Sequence, residues 1–65
     1  MNLQELGNQI KVKRLEAGLT QEELGKMIGT KKEGVYRMES GKQNIGFKTL
    51  AKLSAVLGGA LKIEL

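Results

Sequence analysis

"GLTQEELGKMIGTKKEGVYRMESGK", residues 18–42, decides the fold. Two of its threonines are followed three positions later by a glutamate, Thr20 by Glu23 and Thr30 by Glu33. This is the capping-box pattern, in which the threonine hydroxyl and the glutamate carboxylate reciprocally satisfy orphan amides at a helix start. Gly29 and Gly41 close the two segments, where a helix commonly ends in the left-handed conformation that glycine tolerates best. The stretch therefore predicts helices over 21–28 and 31–40. The turn between them is so short that the two must pack at a steep angle, as a helix-turn-helix unit.

Working outward, Gly18 and the pair Gly58-Gly59 punctuate two more apolar-periodic segments, predicting helices over 2–17 and 46–57. The remaining "ALKIEL" alternates apolar and charged residues with period two and reads as a short strand. The expected fold class is all-α with a short C-terminal β-strand. Residues 1–58 form the helix-turn-helix domain and 59–65 the strand.

Projected onto helices, the apolar positions give a core. The first helix buries Leu3, Leu6, Ile10 and Ala17, and Arg14 falls on the same stripe. The second buries Leu24 and Ile28, with Met27 at the flank, and Leu19 fills the corner before it. Gly25 lets the third helix approach closely. The third helix turns Val35, Met38 and Glu39 inward, and the fourth turns in Phe47, Leu50, Leu53 and Leu57. A lone buried charge costs several kcal/mol, whereas two of opposite sign in one core can pair, so Arg14 and Glu39 are expected to form a salt bridge.

Composition narrows the function. In 65 residues there is room for one domain, and such a domain buries only about 60% of the surface its unfolded chain exposes. Cysteine and histidine are absent, and all seven acidic residues are glutamates. Disulfides, zinc sites and histidine-based triads are thereby excluded. Ser40, Ser54 and Tyr36 have no histidine or aspartate to activate them, so no enzyme, metal or cofactor is expected. No apolar run approaches the roughly 20 residues that span a bilayer, and no signal peptide opens the chain, which predicts a cytoplasmic protein without a membrane partner. The net charge of +4 favours a polyanionic partner.

The third helix shows where that partner would sit. At 100° per residue its outward fan is Lys32, Glu33, Tyr36, Arg37 and Ser40, with Lys31 at the amino-terminal tip. An α-helix fits the DNA major groove, and its first turns come nearest the bases. Arg37 can pair bidentately with guanine, and Lys31 or Lys32 can reach guanine or phosphate. Tyr36 can meet a thymine methyl or a phosphate, and Glu33 can accept from cytosine or serve only the cap. The competing reading is a solvated basic face. Gly34 stands mid-helix, where glycine costs about 0.5–1 kcal/mol against alanine; close packing against the second helix would account for it.

The stretch as a whole resembles the helix-turn-helix of the lambda-repressor and Cro family, often called XRE. The matching elements are Gly18-Leu19-Thr20-Gln21, Glu23-Leu24, Ile28-Gly29, Val35 and Glu39-Ser40-Gly41-Lys42. Arg14 matches the family's first-helix arginine and Gly25 its small residue in the second helix, and the likeness covers residues 6–58. It implies four or five helices, a dimer on a palindromic operator, and transcriptional control, most simply repression. It also implies phosphate contacts from Gln21 and from the loop Lys42, Gln43 and Asn44, with Ser40 beside them. The family's usual proline after the third helix is missing, and Gly34 occupies a position more often Ser, Thr or Ala.

The tail adds a dimerisation element. Paired antiparallel about Ile63, two copies set Ile63 against Ile63, Leu61 against Leu65 and Lys62 against Glu64, whereas a one-residue slip sets Lys62 against Lys62. The alternative is a strand lying on its own domain. A carboxy-terminal strand after such a domain is similar to HipB-type antitoxins, which implies a second functional class: a protein that neutralises a toxin enzyme and autoregulates its operon.

Overall fold

The computed structural model describes residues 2–58. Four helices follow one another: α1 Leu3–Glu16, α2 Gln21–Ile28, α3 Lys32–Glu39 and α4 Phe47–Val56. The described residues are all-helical, in agreement with the expected class. The expected strand and the dimerisation residues Leu61, Lys62, Ile63, Glu64 and Leu65 lie outside them.

Each helix contributes one side chain to the centre of the core. Ile10, Leu24, Val35 and Leu53 are fully buried, and Leu6, Ile28, Met38 and Leu57 surround them. Leu19, Ile45, Leu50 and Val56 pack on the periphery. α3 lies against both α1 and α2, and α4 lies against α2. No helix among the described residues is long and apolar enough to cross a membrane.

Local chemistry sets the helix ends. Asn2 caps α1, its Oδ1 accepting from the Glu5 amide at 2.8 Å. Thr20 caps α2 in a complete capping box: its Oγ1 accepts from the Glu23 amide at 3.0 Å, and its own amide donates to Glu23 Oε1 at 2.9 Å. Those bonds to Thr20 hold the Glu23 carboxyl below its ordinary pKa. After α2 the chain reverses at Gly29, whose φ of +81° strains any residue with a Cβ.

The second expected capping box does not form. The Thr30 amide turns back to the Gly25 carbonyl at 2.8 Å, completing the last turn of α2. With its amide taken, Thr30 offers Glu33 no donor for the reciprocal bond, and α3 starts one step later, with Lys31 in the cap position and no side-chain cap. The Thr30 hydroxyl lies instead over Gly34, where an added Cβ would fall 2.5 Å from Oγ1. The neighbour that explains Gly34 is therefore the Thr30 side chain in the turn, not the body of α2.

Two other glycines allow close backbone approach. A Cβ on Gly25 would fall 2.8 Å from the Thr30 carbonyl oxygen, so the turn into α3 rests directly on α2. Gly7 was not anticipated. A Cβ there would lie 2.5 Å from the Met38 carbonyl oxygen and 2.6 Å from that of Glu39, so α1 sits on the carboxy-terminal carbonyls of α3.

The apolar stripes are shorter than periodicity suggested. Phe47, expected in the core, is 87% exposed. Burial along α4 deepens from Phe47 through half-buried Leu50 to fully buried Leu53, so the stripe joins the core only from Leu50 onward. Ala17 is likewise exposed and Leu3 only half-buried, at the two ends of α1.

Candidate nucleic-acid interface

The inward side of α3 is fixed on two neighbours, α1 and α2. Gly34, Val35, Met38 and Glu39 are buried, while Lys31, Lys32, Glu33, Tyr36 and Arg37 all point to solvent. Burying one face while presenting the other converts a two-turn helix into a rigid projection.

Glu39 carries much of that rigidity. Arg14 Nε donates to Glu39 Oε2 at 2.6 Å and Arg14 Nη2 to Oε1 at 3.1 Å, a bidentate pair with side chains 8% and 3% accessible. Arg14 Nη1 donates to the Leu19 carbonyl at 2.8 Å, and Gln21 Nε2 donates to Glu39 Oε1 at 3.2 Å. One carboxylate thus joins α1, the entry to α2 and the end of α3. Among the described residues no buried side-chain polar atom lacks a hydrogen-bond partner. That is the condition under which a buried ion pair is tolerated. Gln21 is half-buried: one N–H of its amide is engaged with Glu39, and the residue borders a groove with Thr20 and Lys32.

The outward residues fall into two groups. At the amino end, Lys31, Lys32 and Glu33 line a notch between α2 and α3 together with Thr30, Glu22 and Lys26. Lys26 escaped the reading of the sequence. Projecting the outer face of α2 across the turn would have revealed it, since that face necessarily adjoins the start of α3. Glu33, released from capping, sits in the first turn of α3, where a negative charge complements the helix dipole.

At the carboxy end, Arg37 Nε donates to Gln43 Oε1 at 3.0 Å. Lys42 Nζ stands 6.0 Å from the centroid of the Tyr36 ring. The Ser40 hydroxyl donates to the Tyr36 carbonyl at 2.8 Å, within the last turn of α3. Lys42, Gln43 and Asn44 are exposed, and half-buried Ile45 ties their loop to the core. The structure therefore brings Tyr36, Arg37, Ser40, Lys42 and Gln43 together and leaves Lys31, Lys32 and Glu33 as a separate group.

No curated protein sequence matches this chain significantly. Among solved structures, it is similar to the restriction-modification controller protein C.AhdI from Aeromonas hydrophila. The two share 28% sequence identity and a TM-score of 0.82, covering 86% of this chain and 85% of that one. The family described as helix-turn-helix matches residues 10–62. With the fold, the buried scaffold and that match in agreement, the chain belongs to the helix-turn-helix family.

Proposed function

We propose that the protein is a transcriptional regulator that binds double-stranded DNA with α3 in the major groove, and that it acts as a dimeric repressor on a palindromic operator. The observation that carries this reading is the division of α3 into a buried face and an exposed face bearing Lys31, Lys32, Tyr36 and Arg37. With its side chains an α-helix is about 10–12 Å across, suited to a groove about 12 Å wide.

Two kinds of contact follow from the chemistry. Lys31, Lys32, Lys26 and Lys42 meet phosphates, supply affinity for any duplex and make binding sensitive to salt. Gln21 adds a neutral phosphate contact through the amide N–H not engaged with Glu39, with Asn44 further along the strand and Ser40 once its hydroxyl turns from the Tyr36 carbonyl. Arg37 supplies specificity through guanine O6 and N7, Tyr36 through a thymine methyl, and Glu33 through a cytosine amine. The similarity to a restriction-modification controller favours operon control over the neutralisation of a toxin.

Dimerisation through "ALKIEL" rests on the self-complementary register of that segment. Deleting residues 60–65 is expected to give a monomer in light scattering and to weaken operator binding. Selecting bound fragments from random duplexes tests the reading as a whole. It should return two-fold-related half-sites separated by about one helical turn, roughly 10 base pairs, or a multiple of it. Recovery of fragments with no shared sequence would overturn it.

A further inference from the structure

We infer that Gln43 is a positioning residue for sequence reading, presetting Arg37 for its base, and not a phosphate contact; this rests on the reading of α3 given above. A free arginine on a helix surface samples many rotamers and must be ordered when it meets DNA. Here Arg37 Nε already donates to Gln43 Oε1 at 3.0 Å, although both residues are exposed. The bond engages only the Nε–H. It leaves the four N–H groups on Nη1 and Nη2, and these suffice for an end-on bidentate pair with guanine O6 and N7.

The loop that supplies Gln43 is itself fixed at both ends. The Lys42 amide donates to the Arg37 carbonyl at 3.0 Å, and Ile45 packs on the core two residues beyond Gln43. Lys42 meanwhile stands over Tyr36. The segment after α3 thus holds both side chains at the carboxy end of the reading face. Gln43 acts through Arg37, and ordering one long side chain in advance is worth a factor of about 2–10 in binding.

The test measures affinity of the full chain for a duplex selected by the native protein and for a scrambled duplex, and reads the ratio between them. Gln43→Ala is expected to lower that ratio about 2–10-fold, chiefly by weakening the specific complex. Gln43→Glu, which keeps the acceptor oxygen, should weaken both complexes yet preserve the ratio. In an Arg37→Ala background, Gln43→Ala should produce no further loss of ratio. If Gln43→Ala weakens both duplexes equally, and does so again without Arg37, Gln43 is a phosphate contact and the inference is overturned while the reading of Arg37 stands. If Arg37→Ala alone leaves the ratio unchanged, Arg37 reads no base and the inference falls with that reading.

Discussion

The two ends of α3 are built to opposite specifications. The amino end starts without a side-chain cap, and its lysines stand on a notch of mixed charge shared with α2. The carboxy end is locked from below by the Arg14–Glu39 pair, and Arg37 above it is held by Gln43. Loosely held lysines on flexible stems suit phosphates, which are the same beside every base pair. A prearranged guanidinium suits a base edge, where a small displacement loses the bidentate contact. The amino end is thus loosely held and the carboxy end prearranged.

The contrast can be broken most severely from beneath. Glu39→Ala would leave Arg14 buried without its carboxylate and Gln21 without its acceptor. A loss of about 3–5 kcal/mol in urea unfolding is expected, a large part of the stability of so small a domain. A loss below about 1 kcal/mol would show that solvent reaches Arg14 freely.

Next in size are substitutions on the two ends themselves. Arg37→Ala should cost about 1–3 kcal/mol of discrimination between operator and scrambled DNA. Lys31→Ala or Lys32→Ala should instead weaken both duplexes alike, and reduce the slope of log affinity against log salt by about 1. A loss of discrimination from the lysines equal to that from Arg37 would erase the distinction between the ends.

Smaller effects sharpen the account of how α3 begins. Thr20→Ala removes a working cap and should destabilise by about 1 kcal/mol, whereas Thr30→Ala removes none and should change stability far less. Gly34→Ala is expected to be neutral or harmful in the native sequence, because Thr30 Oγ1 occupies the space of the new methyl. In a Thr30→Ala background the same change should stabilise by about 0.5–1 kcal/mol. Equal effects in both backgrounds would remove Thr30 as the reason for Gly34.

The smallest effect concerns pH. Glu23 has its pKa lowered from the ordinary 4.5 by its bonds with Thr20, so its ionised form stabilises the folded chain. That contribution is present above the ordinary value and fades as pH falls through the lowered one. The stability gap between native protein and Glu23→Gln should therefore be widest near neutrality and close in acid. A gap that widens below pH 4.5 would mean the opposite shift.

Most of the scaffold was legible because its determinants are local. Glycine marked each helix end, and all four of Gly18, Gly29, Gly41 and Gly58 adopt positive φ. Arg14 and Glu39 announced their pairing through placement on apolar stripes, where a charge has few alternatives. The failures share another cause. Phe47 continues the α4 stripe faithfully, but periodicity does not say where along a helix the core begins. Thr30 carries a capping box, but the end of α2 competes for the same residue and wins it. Gly7 gave no signal, since its role depends on where α3 ends in space. Arg37, Tyr36 and the lysines could be placed on a face by projection alone. Their division into two groups, and the bond from Arg37 to Gln43, depend on the path of the loop after α3, which no short-range pattern encodes.

The most direct measurement is an amide NMR titration of the full chain with a selected duplex at low salt. Shift changes should concentrate at Gln21, Lys31–Arg37 and Lys42–Asn44, with the outer face of α1 around Lys11 and Val12 unaffected. An unchanged spectrum, or changes centred on α1, would contradict the placement of α3 in the groove.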